Sequence, residues 1–75
     1  MTKEELMRKA IELSIESVRN GGGPFGAVIA REGEIIAEGS NGVTIYNDPT
    51  AHAEVTAIRK ACEKLGTFEL KGCEI

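Results

Sequence analysis

The residues best suited to chemistry lie in one segment, Asp48-Pro49-Thr50-Ala51-His52-Ala53-Glu54. His52 is the only histidine, and Glu54 follows it by two positions where a helix is expected to begin. In the first turn of a helix both side chains can lean toward the open end and reach one site. A metal-binding imidazole beside a proton-carrying carboxylate suits metal-assisted hydrolysis. The alternative is an ordinary helix start, because acidic residues are common in a first turn.

The chain begins with a predicted helix. Apolar residues recur at helical spacing over residues 2–19, which predicts an amphipathic helix. Thr2 and Glu5 have the spacing of a capping box at its start, and Asn20-Gly21 offers a left-handed stop at its end. We therefore expect a helix with one apolar side and one charged side.

A hairpin is predicted next. Residues 25–31 and 34–38 have the character of strands, and Glu32-Gly33 is a suitable two-residue turn between them. The run Ala27-Val28-Ile29-Ala30 is apolar throughout, which is typical of a strand covered on both faces. We therefore expect structure on each side of the first strand.

The segment with His52 is predicted to connect a loop to a second helix. Residues 39–50 are rich in turn formers and predict a long loop. Residues 51–65 predict a helix that has Thr50 or Asp48 as its N-cap and ends at Gly66. Its expected apolar stripe consists of Val55, Ile58, Cys62 and Leu65.

Residues 73–75 predict the start of a third strand, because apolar and polar residues alternate there. This strand should lie parallel to the strand before the second helix, joined to it by a right-handed crossover. The expected fold class is α/β, with a helix, a hairpin, a second helix and the start of a third strand.

Length and composition restrict the function classes. With 75 residues the chain is one domain at most. The net charge of −3 and the mixing of Lys, Arg and Glu along the helices leave no basic stripe, which disfavours a nucleic-acid partner. No apolar run is long enough for a membrane span, and the N-terminus lacks the features of a signal peptide. Two cysteines without C-x-x-C spacing fit reduced thiols, so we expect a cytoplasmic protein.

Several segments together resemble the zinc-dependent nucleobase deaminases. His52-Ala53-Glu54 matches the first half of their H-x-E…P-C-x-x-C signature. Residues 24–29, Pro-Phe-Gly-Ala-Val-Ile, resemble the segment that opens the family's first strand, and Ser40-Asn41 resembles the loop after its second strand. Residues 48–62 look most like guanine deaminases, whereas tRNA adenosine deaminases share mainly the D-P-T-A-H-A-E core.

The resemblance implies a fold and a set of site residues. It implies the α/β/α layers of the cytidine deaminase-like fold, with His52 as a Zn²⁺ ligand and Glu54 as a proton shuttle. Because Glu54 flanks the expected apolar stripe of the second helix, we also expect its carboxylate to be partly buried. It also implies that Asn41 hydrogen-bonds the purine and that Phe25 lines the base pocket. The alternatives are a turn role for Asn41, with positive φ before Gly42, and core packing for Phe25.

The resemblance also implies an activity. The expected reaction is hydrolysis of the exocyclic amine of a free purine base, guanine to xanthine plus ammonia. The expected assembly is a homodimer with exchanged C-terminal segments. Deamination of adenosine in tRNA or of cytosine remains an alternative within the enzyme class. A non-catalytic fragment or subunit that needs a complementary chain is the alternative outside it.

The sequence departs from the family pattern at the cysteines. No P-C-x-x-C segment is present, so we expect residues 1–75 to be the N-terminal part of a single deaminase domain. Cys62 lies ten residues beyond His52 on the same predicted helix, roughly 15 Å along its axis, so the two cannot bind one ion. We therefore predict that the isolated chain is inactive and does not hold zinc tightly.

Overall fold

The computed structural model describes all residues, 1–75. Its elements in chain order are α1 (Lys3–Arg19), β1 (Gly26–Arg31), β2 (Glu34–Ser40), α2 (Val43–Tyr46), α3 (Ala53–Leu65) and β3 (Cys73–Glu74). The three strands form one sheet in the order β2-β1-β3. The predicted α/β architecture is confirmed, and α2 is an additional helix within the predicted loop.

Helix α1 starts and ends as its sequence predicts. The backbone N–H of Glu5 donates to the Thr2 hydroxyl at 3.1 Å, and the N–H of Thr2 donates to the Glu5 carboxylate at 2.9 Å. Both bonds of the capping box are therefore present. The helix ends at Asn20, and Gly21 follows with φ +86°. None of the helices is long and apolar enough to cross a bilayer.

The hairpin has the predicted turn and one irregularity. Glu32 and Gly33 have φ values of +53° and +77°, as a two-residue turn between antiparallel strands requires. The pairing of β1 with β2 shifts between Ile29 and Ala30, and Ile36 has no partner in the register. This bulge lets Ile36 and its neighbour Ala37 pack into the same apolar cluster.

Both faces of β1 are covered, as predicted. On one face Ile29, which is 1% exposed, belongs to a cluster with Ala57 and Ala61 of α3. On the other face Val28 and Ala30 form a cluster with Leu6 of α1. The sheet is therefore the middle of three layers, with α1 and α3 on opposite sides.

The predicted apolar stripe of α3 is wrong. Val55, Cys62 and Leu65 are only partly buried, and Ile58 is 40% exposed. The buried residues are instead Ala53, Ala57 and Ala61, spaced by four along the helix. The reason is a close approach of helix and sheet: a Cβ added at Gly39 in β2 would lie 2.5 Å from the carbonyl oxygen of Ala53. Only small side chains fit between elements that lie so near each other.

Strand β3 is short and lies beside β1. Ala30 pairs with Glu74 and Arg31 with Cys73, both in antiparallel register. Because β2 is also antiparallel to β1, β3 runs parallel to β2, as predicted, but β1 separates the two. The segment from β2 to β3 therefore passes over one strand and contains α3.

Candidate functional site

The start of α3 differs from the prediction by two residues. His52 is the N-cap, with φ −70° and ψ 153°, rather than Thr50 or Asp48. The Asp48 carboxylate accepts hydrogen bonds from the Thr50 hydroxyl at 2.7 Å and from the Thr50 N–H at 2.9 Å. Because Asp48 closes this local turn, it is not available to cap the helix. The chain then runs extended through His52 before the helix begins.

The turn at Asp48 also affects the charge of its carboxyl group. The hydroxyl of Thr50, and then its backbone N–H, stabilise the carboxylate and hold the pKa of Asp48 below its ordinary value of 3.8. The N–H of Ala51 donates to the Asp48 carbonyl at 3.1 Å, which continues the turn. These bonds fix the direction from which the backbone enters α3.

His52 and Glu54 lie together, as the spacing predicts. The Nδ1 atom of His52 is 3.6 Å from Oε1 of Glu54. Their side chains are 56% and 55% exposed, so the prediction that Glu54 is partly buried is wrong. The imidazole makes no capping hydrogen bond to α3. The backbone therefore brings the pair together, and both side chains face solvent.

The donors in residues 1–75 do not by themselves complete a zinc site. No group of three or more His, Cys, Asp or Glu side chains is arranged to hold a metal ion. A catalytic zinc ion takes about three protein ligands, and His52 is one suitable donor. Cys73 instead packs against the apolar cluster around Ile29. The chain thus offers one ligand position and an adjacent carboxylate.

Asn41 follows directly after β2 and is held on several sides. Its N–H donates to the carbonyl of Phe25 at 3.2 Å, and its side-chain oxygen accepts from the N–H of Val43 at 3.1 Å. The latter bond marks the start of α2, the helix that the sequence did not predict. The alternative of a turn residue with positive φ is wrong for Asn41; that conformation occurs at Asn47, with φ +52°.

Phe25 lies beside Asn41 and is 59% exposed. The alternative that Phe25 packs in the core is therefore wrong. Its carbonyl bonds the Asn41 N–H, so the two residues extend the pairing of β1 with β2 by one step beyond Gly26 and Ser40. An exposed aromatic ring at the same end of the sheet as a fixed amide side chain offers an apolar face to a flat heterocycle.

One backbone hydrogen bond connects the segment that carries Asn41 to the segment that carries His52. The N–H of Gly42, next to Asn41, donates to the carbonyl of Ala51, next to His52, at 2.8 Å. The start of β1, the end of β2 and the start of α3 therefore meet at one end of the sheet. We call Phe25, Asn41, His52 and Glu54, which lie there, the candidate site.

A groove of about 590 Å³ runs from the candidate site along α1 and β1. Its walls are mostly apolar and include Leu6, Met7 and Ala10 of α1, with Ile75 near the end of β3. Glu54 is the only member of the candidate site that lines this groove. The carboxylate of Glu54 therefore stands between a polar end of the sheet and an apolar cleft.

The family whose pattern matches this chain and the two similar proteins described next are all deaminases. The pattern of the cytidine and deoxycytidylate deaminase zinc-binding region matches residues 1–75. The guanine deaminase of Bacillus subtilis (strain 168) is 60% identical over an alignment of 74 residues, and the match covers 97% of this chain and 47% of that protein. The tRNA-specific adenosine deaminase of Aquifex aeolicus (strain VF5) is 44% identical over 75 residues, 100% of this chain and 50% of that protein.

The likeness extends to three dimensions. The X-ray structure of guanine deaminase from Bacillus subtilis matches with a TM-score of 0.94 at 59% identity, over 97% of this chain and 47% of that one. The chain thus spans about half the length of these two relatives. Since the family pattern covers every residue and the fold agrees, the chain belongs to the family of the cytidine and deoxycytidylate deaminase zinc-binding region, within the deaminases.

Proposed function

We propose that residues 1–75 form the N-terminal part of a deaminase that converts free guanine and water into xanthine and ammonia. The observation that carries this proposal is the meeting of His52 and Glu54, 3.6 Å apart, at the start of α3. The 60% identity to a guanine deaminase favours guanine over other bases. In this proposal the ligands that His52 lacks come from outside these residues.

Glu54 is the proposed proton carrier. Its carboxylate can take a proton from the attacking water and pass it to the ring nitrogen beside the amine-bearing carbon. It can then carry the second proton, from the hydroxyl just added to that carbon, to the amine, which leaves as ammonia when the C–N bond breaks and the carbonyl forms. The exposure of Glu54 at the mouth of the groove leaves it accessible to both water and base. His52 is the proposed zinc ligand of this chain, and a zinc ion held there would make the attacking water easier to deprotonate.

Asn41 and Phe25 are the proposed contacts to the base. The side-chain oxygen of Asn41 accepts the N–H of Val43, and the amide NH₂ group donates to no residue of the chain, so it can donate to a base. A ring nitrogen or carbonyl oxygen of guanine is a matching acceptor. The exposed ring of Phe25 offers an apolar face to the base.

The proposal can be tested by reconstitution. The chain is co-expressed with the part of Bacillus subtilis guanine deaminase that follows the 74 matched residues. Ammonia release is measured with guanine, adenine, cytosine and a tRNA anticodon stem-loop, beside a complex carrying Glu54→Gln. We expect release from guanine only, and loss of it in the variant. Release from another substrate but not from guanine overturns the choice of base, and a folded, zinc-loaded complex without any activity overturns the enzymatic role.

Deamination of adenosine in tRNA is a second candidate, because the Aquifex aeolicus relative is 44% identical over the whole chain. The net charge of −3 argues against it, since RNA binding favours a basic surface. A non-catalytic subunit role is the remaining alternative and predicts no release from any substrate. A homodimer with exchanged C-terminal segments and a cytoplasmic location belong to the same proposal, and sedimentation of the reconstituted complex tests the dimer.

A further inference from the structure

Ser17, near the end of α1, has an unusual environment for a serine. It is 4% exposed and is the only buried polar side chain. Its hydroxyl points away from its own helix and donates to the carbonyl oxygen of Asn41 at 3.4 Å. Ser14, one turn earlier, instead donates to Ile11 of the same helix at 2.6 Å. The hydroxyl of Ser17 is therefore directed at the loop that carries Asn41.

The turn after α1 reaches the same loop. The N–H of Gly22 donates to the carbonyl of Ser17 at 2.7 Å. A Cβ added at Gly22 would lie 2.5 Å from the Ser17 hydroxyl and 2.7 Å from the Asn41 carbonyl oxygen. The absence of a side chain at Gly22 is thus what allows α1, the turn and the Asn41 backbone to converge.

The absence of a side chain at Gly23 likewise lets the turn lie close to the side chain of Asn41. A Cβ added at Gly23 would lie 3.0 Å from Cγ and 3.1 Å from Oδ1 of Asn41. The hydroxyl of Thr44 adds a further link by donating to the carbonyl of Gly21 at 3.2 Å. Contacts from one turn therefore restrict both the backbone and the amide group of Asn41.

We propose that Ser17, Gly22 and Gly23 are positioning residues for Asn41 and hold its free amide NH₂ group toward the base. This inference rests on the proposed function, in which Asn41 contacts guanine. None of the three residues needs to touch the substrate. Their effect is to restrict Asn41 before the base arrives, which lowers the entropy lost when the base binds.

The proposal predicts a particular kinetic effect. A contact that binds the base equally in the ground state and the transition state changes KM and leaves kcat unchanged. Ser17→Ala in the reconstituted complex should therefore raise KM for guanine about 5-fold to 10-fold, with kcat within about 2-fold. Gly23→Ala presses on the amide itself and should raise KM at least as much. Ser14→Ala is the matched control, because its hydroxyl bonds only its own helix.

A second measurement uses the chain itself and does not depend on activity. The backbone N–H of Asn41 is bonded to Phe25, and its hydrogen exchange reports local opening. We expect Ser17→Ala to speed this exchange at least about 5-fold, and Ser14→Ala to leave it unchanged. If Ser17→Ala does not fold, Gly23→Ala is compared with the unaltered chain in the same way.

The outcomes separate this inference from the proposed function. If the reconstituted complex deaminates guanine but the Ser17→Ala and Ser14→Ala variants have the same KM for guanine, the positioning role is wrong and the proposed deaminase function stands. If kcat falls while KM is unchanged, the positioning role is also wrong. If the unaltered complex has no activity, the proposed function fails, and equal exchange at Asn41 in both serine variants then rejects the positioning of the loop as well.

Discussion

The two halves of the candidate site are built differently. Asn41 is held through its N–H, its carbonyl and its side-chain oxygen, by Phe25, Ser17 and Val43 respectively. His52 and Glu54 contact each other at 3.6 Å, and each side chain is more than half exposed. Asn41, which is proposed to contact the base, is therefore held by contacts within this chain, whereas the pair proposed for catalysis is placed by its backbone.

The difference follows from the local architecture. Asn41 lies where β2, α2 and the end of α1 converge, so several segments can restrict it at once. His52 and Glu54 project from a helix N-terminus, which fixes their Cα atoms but leaves their rotamers free. Ordering such side chains costs entropy that other contacts must offset. Metal-binding histidines are commonly oriented by an outer partner as well as by the ion.

The largest expected effect concerns the half proposed for catalysis, His52 and Glu54. Glu54→Gln keeps the shape of the side chain but cannot carry a proton, so kcat for guanine in the reconstituted complex should fall about 10²-fold to 10⁴-fold. Glu63→Gln, on the exposed part of the same helix, is the control and should leave kcat unchanged. Steady-state ammonia release measures both. A fall of less than about 10-fold for Glu54→Gln contradicts the proton-carrier role.

The next effect concerns the metal. His52→Ala removes a proposed zinc ligand from the reconstituted complex. Loss of a residue that only hydrogen-bonds a metal ligand typically weakens metal binding about 10-fold to 100-fold, and we expect loss of the ligand itself to weaken zinc binding more. Zinc content after dialysis measures this, with Glu54→Gln as a control that retains zinc. The chain alone should hold no zinc after the same dialysis. One tightly bound equivalent on the isolated chain contradicts the interpretation of His52 as an incomplete site.

A smaller effect concerns what places His52 and Glu54. Gly39→Ala puts a Cβ against the backbone of α3 at Ala53, so helix and sheet must separate. We expect a loss of about 1–3 kcal/mol in the free energy of unfolding, measured with urea. Ser40→Ala, the next residue along β2, is the comparison and should cost less. Equal losses for the two variants mean that the close approach at Gly39 does not place the start of α3.

The smallest expected effect concerns how the stability of the fold depends on pH. Hydrogen bonds from Thr50 hold the pKa of Asp48 below its unfolded value of about 3.8, so their stabilisation is present above that pH and is lost as the pH falls through the folded pKa. Thr50→Val lacks the hydroxyl that bonds Asp48, so its stability should fall less than that of the unaltered chain as the pH is lowered. Acid unfolding curves measure this difference. Thr44→Val, whose hydroxyl bonds the carbonyl of Gly21, should leave the pH dependence unchanged. Parallel curves for all three proteins contradict the role of the Asp48 turn.

Most helices and strands could be predicted, because their signals are local. The capping box of Thr2 and Glu5, the turn at Glu32-Gly33 and the left-handed Gly66 all depend on neighbouring residues, and all occur as predicted. Some errors were local, and others arose where segments distant in sequence meet. The N-cap moved from Thr50 or Asp48 to His52 because the Asp48 carboxylate takes part in a turn.

The buried side of α3 is the clearest error that arose where segments distant in sequence meet. Side-chain size favours Val55, Ile58, Cys62 and Leu65, yet the alanines face the sheet because Gly39 lets the helix come close. The exposure of Glu54 and Phe25 also depends on which elements surround them. The distance between a helix and a sheet depends on the side chains of both elements, so the sequence pattern of one segment does not predict it.

By itself the sequence determined the order of α1, β1, β2, α3 and β3, the hairpin turn and the spacing of His52 and Glu54, since these depend on residues close together along the chain. Only the tertiary structure decided that Ser17 and the glycine turn reach Asn41, and that Gly42 is bonded to Ala51 beside His52. Such contacts join residues far apart in sequence. They form only when α1, β2 and α3 have packed against one another, so tertiary packing determines how the candidate site is held.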